Sequence, residues 1–276
     1  FAGFAFHDEV EPGEPFPAAY AFVPRWQVAL AALVVLAALI ALAYTLALPW
    51  AAQRLAARVP QEIERRMGAE ALKWLDGQHW FDATRLDRDT RVHVLARFDA
   101  LTADLPFSRH YGLAFRNAGG AGANAFALPG GTIVITDRLI ELAETDDQIV
   151  AVLAHEAGHV ELRHAMRHLL QTSAMGVAVA TLAGDAGSAT ALAATLPGTL
   201  ATLHYSRELE TEADDFAIAL LQRHGISPAA FARMMELLRD DADDEDTTFS
   251  FLSTHPVSDE RIAKARAAAA PSEQRK

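Results

Sequence analysis

Residues 155–159 read H-E-A-G-H, and this five-residue run constrains the fold of the chain more than any other stretch. Two imidazoles four positions apart can reach one metal ion when the backbone between them is helical, because residues i and i+4 share one helix face. The run lies inside an apolar segment, so its helix is expected to be buried. Burying His155, Glu156 and His159 is costly unless something satisfies their polar atoms, and a metal ion does so.

The segment just before this run carries the signal for a helix start. Residues 145–148 read T-D-D-Q, a capping-box pattern with two acidic residues in the first turn. Residues 149–154 are apolar on most sides of the predicted helix. The two histidines and the glutamate therefore fall in its third and fourth turns.

Composition excludes several classes of protein and site. The chain has 276 residues, 36 acidic against 24 basic side chains and a formal net charge of −12, with no long basic run. A nucleic-acid partner is not expected. Cysteine is absent, so any metal must be held by histidine and carboxylate. This length is typical of one catalytic domain with an appendage, and a start at Phe1 instead of Met predicts a fragment or a processed product.

An apolar run near the N-terminus predicts a membrane-spanning helix over residues 26–50. Residues 28–48 are apolar except for two adjacent positions, and as a helix they extend roughly 31 Å, enough to cross the hydrocarbon core of a bilayer. Trp26 and Trp50 flank the run as interfacial aromatics do. A buried core helix and a signal peptide are the alternatives. The residues ahead of the run and its length disfavour a cleavable signal.

The arginines beside the predicted span bear on its orientation. Arg25 precedes the span closely, whereas Arg54, Arg58, Arg65 and Arg66 follow it. The positive-inside rule therefore favours a cytoplasmic location for the part of the chain after the span.

Periodicity along the whole chain predicts a mostly α protein with a small β-sheet (α+β). The predicted organisation is an irregular lead (1–25), a transmembrane helix (26–50), a helical linker region (51–105), a catalytic domain (106–270) and a polar tail (271–276). Residues 169–203 are expected to form a helical hairpin, packed on the neighbouring helices or lying against the membrane. A helix from Ser227-Pro228 is expected to end near Leu238, and the acidic run 240–246 is expected to be a solvated loop, because it lacks the spacing of a calcium-binding loop.

Short strands are predicted just before the helix of the H-E-x-x-H run. Residues 111–116, 125–128 and 132–136 have strand character, and a Pro-Gly-Gly turn separates the last two. An edge strand here could pair with an extended peptide substrate, and an ordinary supporting hairpin is an equally good interpretation. The candidate substrate-binding residues are Asn124, Ala125, Phe126 and Ala127.

A zinc hydrolase site needs a third protein ligand and an open fourth position. One class supplies the third ligand as H-E-x-x-H-x-x-G-x-x-H. Leu162 and Ala165 occupy the glycine and third-histidine positions of that pattern, so this class is excluded.

The other class takes its third ligand from a later helix, and Glu210 is the candidate. Asp214 lies one turn after it, beside the small residues Ala213 and Ala217, which would permit close helix packing. Asp214 could then brace a ligand histidine. Glu208 or Glu212 could serve as the third ligand on physical grounds alone.

Four motifs in order resemble the HtpX and CAAX prenyl protease family of gluzincin metallopeptidases, peptidase family M forty-eight. The resemblance covers about residues 117–267, and its single anchor is most similar to the membrane quality-control branch of mitochondria and bacteria. The multi-span architecture of other members is not matched. The motifs are N-A-F-A-L-P-G-G (124–131), H-E-A-G-H (155–159), S-R-E-L-E-T-E-A-D (206–214) and H-P (255–256) with R-I (261–262).

The resemblance implies one Zn²⁺ held by His155, His159 and Glu210, with Glu156 as the general base. It singles out Glu210 through the E-x-x-x-D pattern. It further implies that His255 and Arg261 face the zinc and stabilise the oxyanion, or that His255 occupies the open metal position. His164 and His168 follow on the same predicted helix and are expected to be structural and not ligands.

The expected function is a membrane-anchored zinc metalloendopeptidase that acts on misfolded or membrane-associated proteins. By family likeness it would lie in a bacterial inner membrane with a periplasmic catalytic domain, opposite to the side that the arginines favour. One alternative is a latent or non-proteolytic chaperone or scaffold whose site His255 blocks. Another is a metal-free helical membrane protein with a chance H-E-x-x-H run.

Overall fold

The structure is a computed structural model that describes residues 25–78, 81–108, 110–118, 122–182, 205–244 and 251–269. The chain divides into two compact units, Phe1–Leu48 and Pro49–Lys276. In the first unit, α1 (Arg25–Leu42) continues into a π-helical turn (Ala43–Ala47). Its large apolar side chains are exposed.

One helix among the described residues, Trp26–Ala56, is long and apolar enough to cross a membrane. None of its most apolar 18-residue window is buried. The core helix of a soluble protein would bury such a surface. The length, the composition and the exposure of this helix therefore agree with the predicted span.

The remaining described elements form a mostly helical domain with a small sheet, which confirms the predicted fold class. Pro60 and Gly77 bound one helix. In chain order the elements are α2 (Leu48–Ala56), α3 (Gln61–Gly77), β1 (Asp82–Ala83), α4 (Arg88–Thr102), β2 (Gly112–Asn117), β3 (Ala125–Ala127), β4 (Thr132–Thr136), α5 (Asp137–Leu142), α6 (Asp146–Glu161), α7 (His164–Leu182), α8 (Arg207–Arg223), α9 (Ala229–Asp244), α10 (Phe251–Thr254) and α11 (Asp259–Ala269).

The sheet has four strands in the order β1-β2-β4-β3. β2 and β4 are parallel, with Leu113 opposite Ile133, whereas β3 runs antiparallel to β4. β4 is central and its Ile133, Val134 and Ile135 are buried because helices cover both of its faces. β3 therefore lies at the edge of the sheet, next to the helix that carries the H-E-x-x-H run.

Helix α6 begins with the predicted capping box. The Thr145 side chain accepts from the backbone of Gln148, and the Gln148 side chain accepts from the backbone of Thr145. Every residue from Gln148 to Val160 is buried, so the helix runs through the core and does not lie on its surface. The sequence-based prediction of a capped, buried helix is confirmed.

Helices α6 and α8 pack closely because small residues line their contact. Ala213 and Ala217 are fully buried between them. A Cβ added at Gly158 would lie 3.1 Å from the Ala213 carbonyl oxygen, closer than most real contacts allow. The absence of a side chain at Gly158 is therefore what permits this helix separation.

Two predictions about helix ends were wrong. Helix α9 continues to Asp244, six residues past the expected end near Leu238, so the described part of the acidic run is helical and not a loop. Asp241 supports the extension, because Arg138 donates two hydrogen bonds to its Oδ1 at 2.5 and 3.1 Å and its side chain is nearly buried. Residues 245–246 and most of the predicted hairpin, 183–203, lie outside the described residues.

The helix of the H-E-x-x-H run also ends earlier than expected. Helix α6 stops at Glu161 and α7 starts at His164, with Arg163 in the left-handed region at φ 54° between them. The Arg163 side chain donates to the carbonyl oxygens of Ala56 and Val59 at 2.7 and 2.8 Å. His164 and His168 therefore belong to a separate helix that leaves α6 at a bend.

The Pro129-Gly130-Gly131 turn after β3 packs directly against helix α3. Gly130 has φ +82°, and a Cβ there would meet the backbone of Arg65 at 2.4 Å. A Cβ at Gly68 of α3 would come within 2.1 Å of the Pro129 carbonyl oxygen. The turn and the helix are fitted backbone to backbone, which fixes the position of the edge strand.

We predict that Gly68→Ala lowers the free energy of unfolding by roughly 1–3 kcal/mol, because the added methyl group forces apart two backbones. Thermal or urea unfolding of the full chain measures this. Gly77→Ala in the same helix is the matched control, since a Cβ there meets nothing within 4 Å. Equal stability of the two variants would contradict this description of the contact.

Candidate metal centre

His155 and His159 project from α6 into one buried space. Their Nε2 atoms are 3.0 Å apart, and the two residues are 0% and 1% exposed. The rings meet nearly edge to face, with centroids 4.7 Å apart. The spacing of four residues on a helix produces this convergence.

Glu210 enters the same space from the first turn of α8, which the Ser206 side chain caps. Its Oε2 lies 3.5 Å from His155 Nε2 and its Oε1 lies 3.5 Å from His159 Nε2. Although burial opposes it, the charges and hydrogen bonds of His255 and His155 hold the pKa of the Glu210 carboxyl well below its usual range. The neighbouring Glu208 is exposed, so it does not reach the histidines.

His255 completes the cluster from the end of the short helix α10. Its backbone N–H donates to Phe251 at 2.7 Å, and its ring stacks on the Phe251 ring at 4.7 Å. His255 Nδ1 lies 2.9 Å from Glu210 Oε1 and 3.4 Å from His155 Nε2. One ligand atom from each of His155, His159, Glu210 and His255 falls within 4.8 Å of all the others.

The four donor groups lie close enough together to surround one metal ion. Ligands about 2.0–2.1 Å from zinc at tetrahedral angles are roughly 3.3 Å apart; the closest contacts in the cluster run from 2.9 to 3.5 Å, and all four donor atoms lie within 4.8 Å of one another. Three imidazole nitrogens and one carboxylate are suitable ligands for a divalent transition metal. A metal ion would also offset the cost of burying this many polar atoms together.

Asp214 and Arg261 lie behind the cluster. Asp214 Oδ1 is 3.0 Å from His155 Nδ1, as its position one turn after Glu210 led us to expect. Arg261 Nε and Nη2 each donate to the Asp214 carboxylate at 2.7 Å, and Nη1 lies 2.8 Å from Glu210 Oε2. The guanidinium therefore holds the two acidic side chains, and its expected role in stabilising a substrate oxyanion stays a prediction.

Glu156 lies beside the cluster on α6. Both of its carboxylate oxygens are buried; no described side chain donates a hydrogen bond to them, and the Ala127 backbone N–H lies close enough to oppose the rise in the pKa of the carboxyl. Burial raises the pKa of the Glu156 carboxyl to about 7, although the nearby His255 opposes this. His255 Nε2 is 3.5 Å from Glu156 Oε1. A carboxyl poised near neutral pH can both accept and release a proton.

Three residues near His159, namely Tyr205, His164 and Arg167, were not predicted as functional. Tyr205 stacks on the His159 ring, with centroids 4.1 Å apart and planes inclined by 24°. His164 Nδ1 lies 2.9 Å from His159 Nδ1. Glu212, one of the alternative ligands, instead accepts from Arg167 at 2.6 Å. The bend between α6 and α7 brings His164 and Arg167 close to His159, and no local sequence pattern predicts that bend.

The candidate substrate-binding residues lie in β3, or directly before it, at one edge of the sheet. Asn124 to Ala127 follow the outer edge of the sheet, and the Asn124 backbone N–H donates to Thr136 Oγ1 at 2.8 Å. Phe126 packs against Phe81 with ring centroids 6.1 Å apart. All four residues are buried, so their side chains serve the core.

Comparison with known proteins agrees with these observations. The family model described as "Peptidase family M48" matches residues 87–269. The chain is 33% identical over 153 residues to the beta-barrel assembly-enhancing protease of Escherichia coli (strain K12), covering 52% of this chain and 31% of that protein. It is 37% identical over 147 residues to Metalloprotease LoiP of the same organism, covering 52% of this chain and 57% of LoiP.

A longer match reaches a eukaryotic protein. The chain is 26% identical over 245 residues to mitochondrial metalloendopeptidase OMA1 of Schizosaccharomyces pombe, covering 87% of this chain and 71% of OMA1. By contrast, the matches span less than a third of the E. coli assembly-enhancing protease and little more than half of LoiP.

We predict that Glu210→Ala lowers the affinity for a divalent metal by more than about 100-fold, since losing even a group behind a ligand costs roughly 10–100-fold. Elemental analysis and competition with a chelator measure this. Glu208→Ala, in the same helical turn but exposed, is the matched control and should retain the metal. Equal metal content in both variants would exclude Glu210 as a ligand.

Proposed function

The chain belongs to peptidase family M48, and on this basis we propose that it is a membrane-anchored zinc metalloendopeptidase that hydrolyses peptide bonds in proteins. One observation carries the proposal. His155, His159 and Glu210 converge within metal-binding distance beside Glu156, a fully buried carboxyl on the same helix as the two histidines.

Zinc suits this donor set. The site contains imidazole and carboxylate and no thiolate, and catalytic zinc sites use three such protein ligands with a fourth position open. We infer that His155, His159 and Glu210 hold the ion. When bound, zinc acts as a Lewis acid toward the peptide carbonyl and lowers the pKa of a water molecule to about 7.

Glu156 is the proposed general base. It accepts a proton from the water that attacks the peptide carbonyl and then delivers that proton to the leaving nitrogen. Its buried surroundings favour this exchange, because they raise the pKa of the carboxyl to about 7. Burial of α6 from Gln148 to Val160 keeps the carboxyl in place.

Asp214 and Arg261 are proposed to position the ligands. Asp214 accepts from His155 Nδ1 and so fixes which nitrogen faces the ion. Arg261 holds both Asp214 and Glu210 at 2.7 and 2.8 Å. Because its donors are committed to these carboxylates, the oxyanion role proposed from the family resemblance is better supplied by His255.

The substrate is proposed to be a protein segment in extended form. β3 is the edge strand of the sheet and contacts α6, so a peptide paired with residues 124–127 would run past Glu156. Pairing through main-chain groups would tolerate many substrate sequences. Misfolded or membrane-associated proteins are the substrate class that suits such pairing.

Helix Trp26–Ala56 is proposed to be the membrane anchor. Its apolar window is fully exposed, as a lipid-facing surface requires. A single span would make the protein a one-pass membrane enzyme, in a bacterial inner membrane by its family likeness.

A second candidate function rests on His255. Its Nδ1 is close enough to Glu210 and His155 to serve as a fourth ligand. In that state the open position would be filled, and the protein would be latent or would act as a chaperone or scaffold without cleaving peptides.

We predict that Glu156→Gln reduces peptide cleavage by at least about 10²-fold, the lower bound for loss of a positioned general base. Cleavage of unfolded casein by the purified full chain is the assay, with zinc content measured in parallel. Zinc should remain bound because the ligands are unchanged. The exposed Glu141→Gln is the matched control. Full cleavage by metal-loaded Glu156→Gln would exclude the mechanism.

We predict that His255→Ala raises the cleavage rate several-fold while weakening zinc binding, because the fourth position then opens. The exposed His224→Ala is the control for loss of a histidine. A lower rate with unchanged zinc binding would assign His255 to the oxyanion instead. If neither the wild type nor His255→Ala cleaves casein, the non-proteolytic function is favoured.

A further inference from the structure

The two histidines of the H-E-x-x-H run are supported in different ways. His155 Nδ1 faces a carboxylate directly, at 3.0 Å from Asp214. His159 Nδ1 faces another imidazole, at 2.9 Å from His164 Nδ1. The His159 ring has its opposite nitrogen, Nε2, in the metal cluster, so the contact with His164 lies on the side away from the metal.

A short chain of polar groups continues outward from His164. Its Nε2 lies 3.2 Å from Glu212 Oε2, and Arg167 donates to both oxygens of Glu212 at 2.6 and 3.2 Å. His164 is completely buried and Arg167 is 7% exposed. Glu212 therefore places a negative charge, balanced by Arg167, at the end of this row of polar groups that lies farthest from the metal cluster.

The chemistry of these groups fixes the direction of their hydrogen bonds. A carboxylate paired with a guanidinium can only accept, so His164 Nε2 carries the hydrogen that faces Glu212. A neutral imidazole then has an accepting Nδ1, and the hydrogen between the two Nδ1 atoms belongs to His159. This assignment leaves the lone pair of His159 on Nε2, the nitrogen that faces the metal cluster and would coordinate a metal ion.

We propose that His164 is a positioning residue that relays the charge of Glu212 to His159 and so fixes its metal-binding tautomer. The proposal rests on the proposed metal site. It differs from a packing role, because packing requires only the shape of the His164 ring, whereas the relay requires an acceptor on one side and a donor on the other. His164 is not itself a member of the four-residue metal cluster.

Neighbouring groups fit this assignment. Tyr205 stacks on His159 at 4.1 Å and restrains rotation of its ring about the Cβ–Cγ bond, which keeps Nδ1 directed at His164. Arg163, at φ 54°, bends the backbone between α6 and α7, so that His164, five residues after His159, lies against His159 Nδ1. On a continuous helix, residues five apart do not face each other.

Two substitutions at His164 separate the relay from packing. A glutamine side chain offers a carbonyl oxygen to His159 and an N–H to Glu212, whereas a leucine fills similar space with neither. We expect His164→Leu to weaken Zn²⁺ binding about 10–100-fold, the usual effect of losing a group behind a ligand, and His164→Gln to recover most of it. Zn²⁺ titration of the metal-free full chain against a chelator measures both.

A second pair of variants does not depend on a buried substitution. Glu212 is 40% exposed at its side chain, so Glu212→Ala should fold, and Glu208→Ala on the same helix is its matched control. We expect Glu212→Ala alone to weaken Zn²⁺ binding. With Co²⁺ as the probe, it should also change the visible absorption of the site, because the donor strength of His159 changes.

The outcomes separate the relay from the metal site itself. If the wild type binds no Zn²⁺, the proposed function fails first and the relay fails with it. If the wild type binds Zn²⁺ but Glu212→Ala and Glu208→Ala bind it equally well, only the relay is overturned. Equal loss in His164→Gln and His164→Leu would likewise reduce His164 to packing.

Discussion

Close approach of α6 and α8 is the contact on which the rest of the site depends. Gly158 presents no side chain to the backbone of Ala213, so the helix bearing both histidines lies directly against the helix bearing Glu210. Hydrophobic packing around these helices then fixes their rotation, because every residue of α6 from Gln148 to Val160 is buried. The donor atoms converge as a result of apolar contacts, before any metal is considered.

Burial also explains the distribution of charge. Glu156, Glu210 and Asp214 are three buried carboxyl groups with one buried guanidinium, Arg261, among them. A dication would supply the remaining positive charge. Glu212 of α8 is balanced separately by Arg167 in the first turn of α7. Glu156 has no arginine bonded to it among the described residues, and burial raises the pKa of its carboxyl to about 7, which suits a group that exchanges protons.

Local sequence patterns predicted the elements whose geometry is local. The features that they missed depend on contacts between residues far apart in the sequence. The capped helix α6 and the short strands before it follow from caps, spacing and residue type, whereas only the family resemblance singled out Glu210 from Glu208 and Glu212. The end of α9 depends on Arg138, 103 residues before Asp241. The bend that places His164 depends on Arg163 reaching backbone oxygens more than 100 residues earlier. The parallel pairing of β2 with β4, across β3 in sequence, is equally non-local.

The missing side chain at Gly158 has a consequence for the size of the space between the donor atoms of the cluster. A methyl group there would lie 3.1–3.2 Å from Ala213 and Phe216, so the two helices would have to separate by a few tenths of an ångström. His155 and His159 flank this position and Glu210 lies across from it, so separation would enlarge the space between their donor atoms. Selectivity between divalent ions depends on the size and geometry of that space. One hydrogen atom in place of a methyl group therefore keeps that space small.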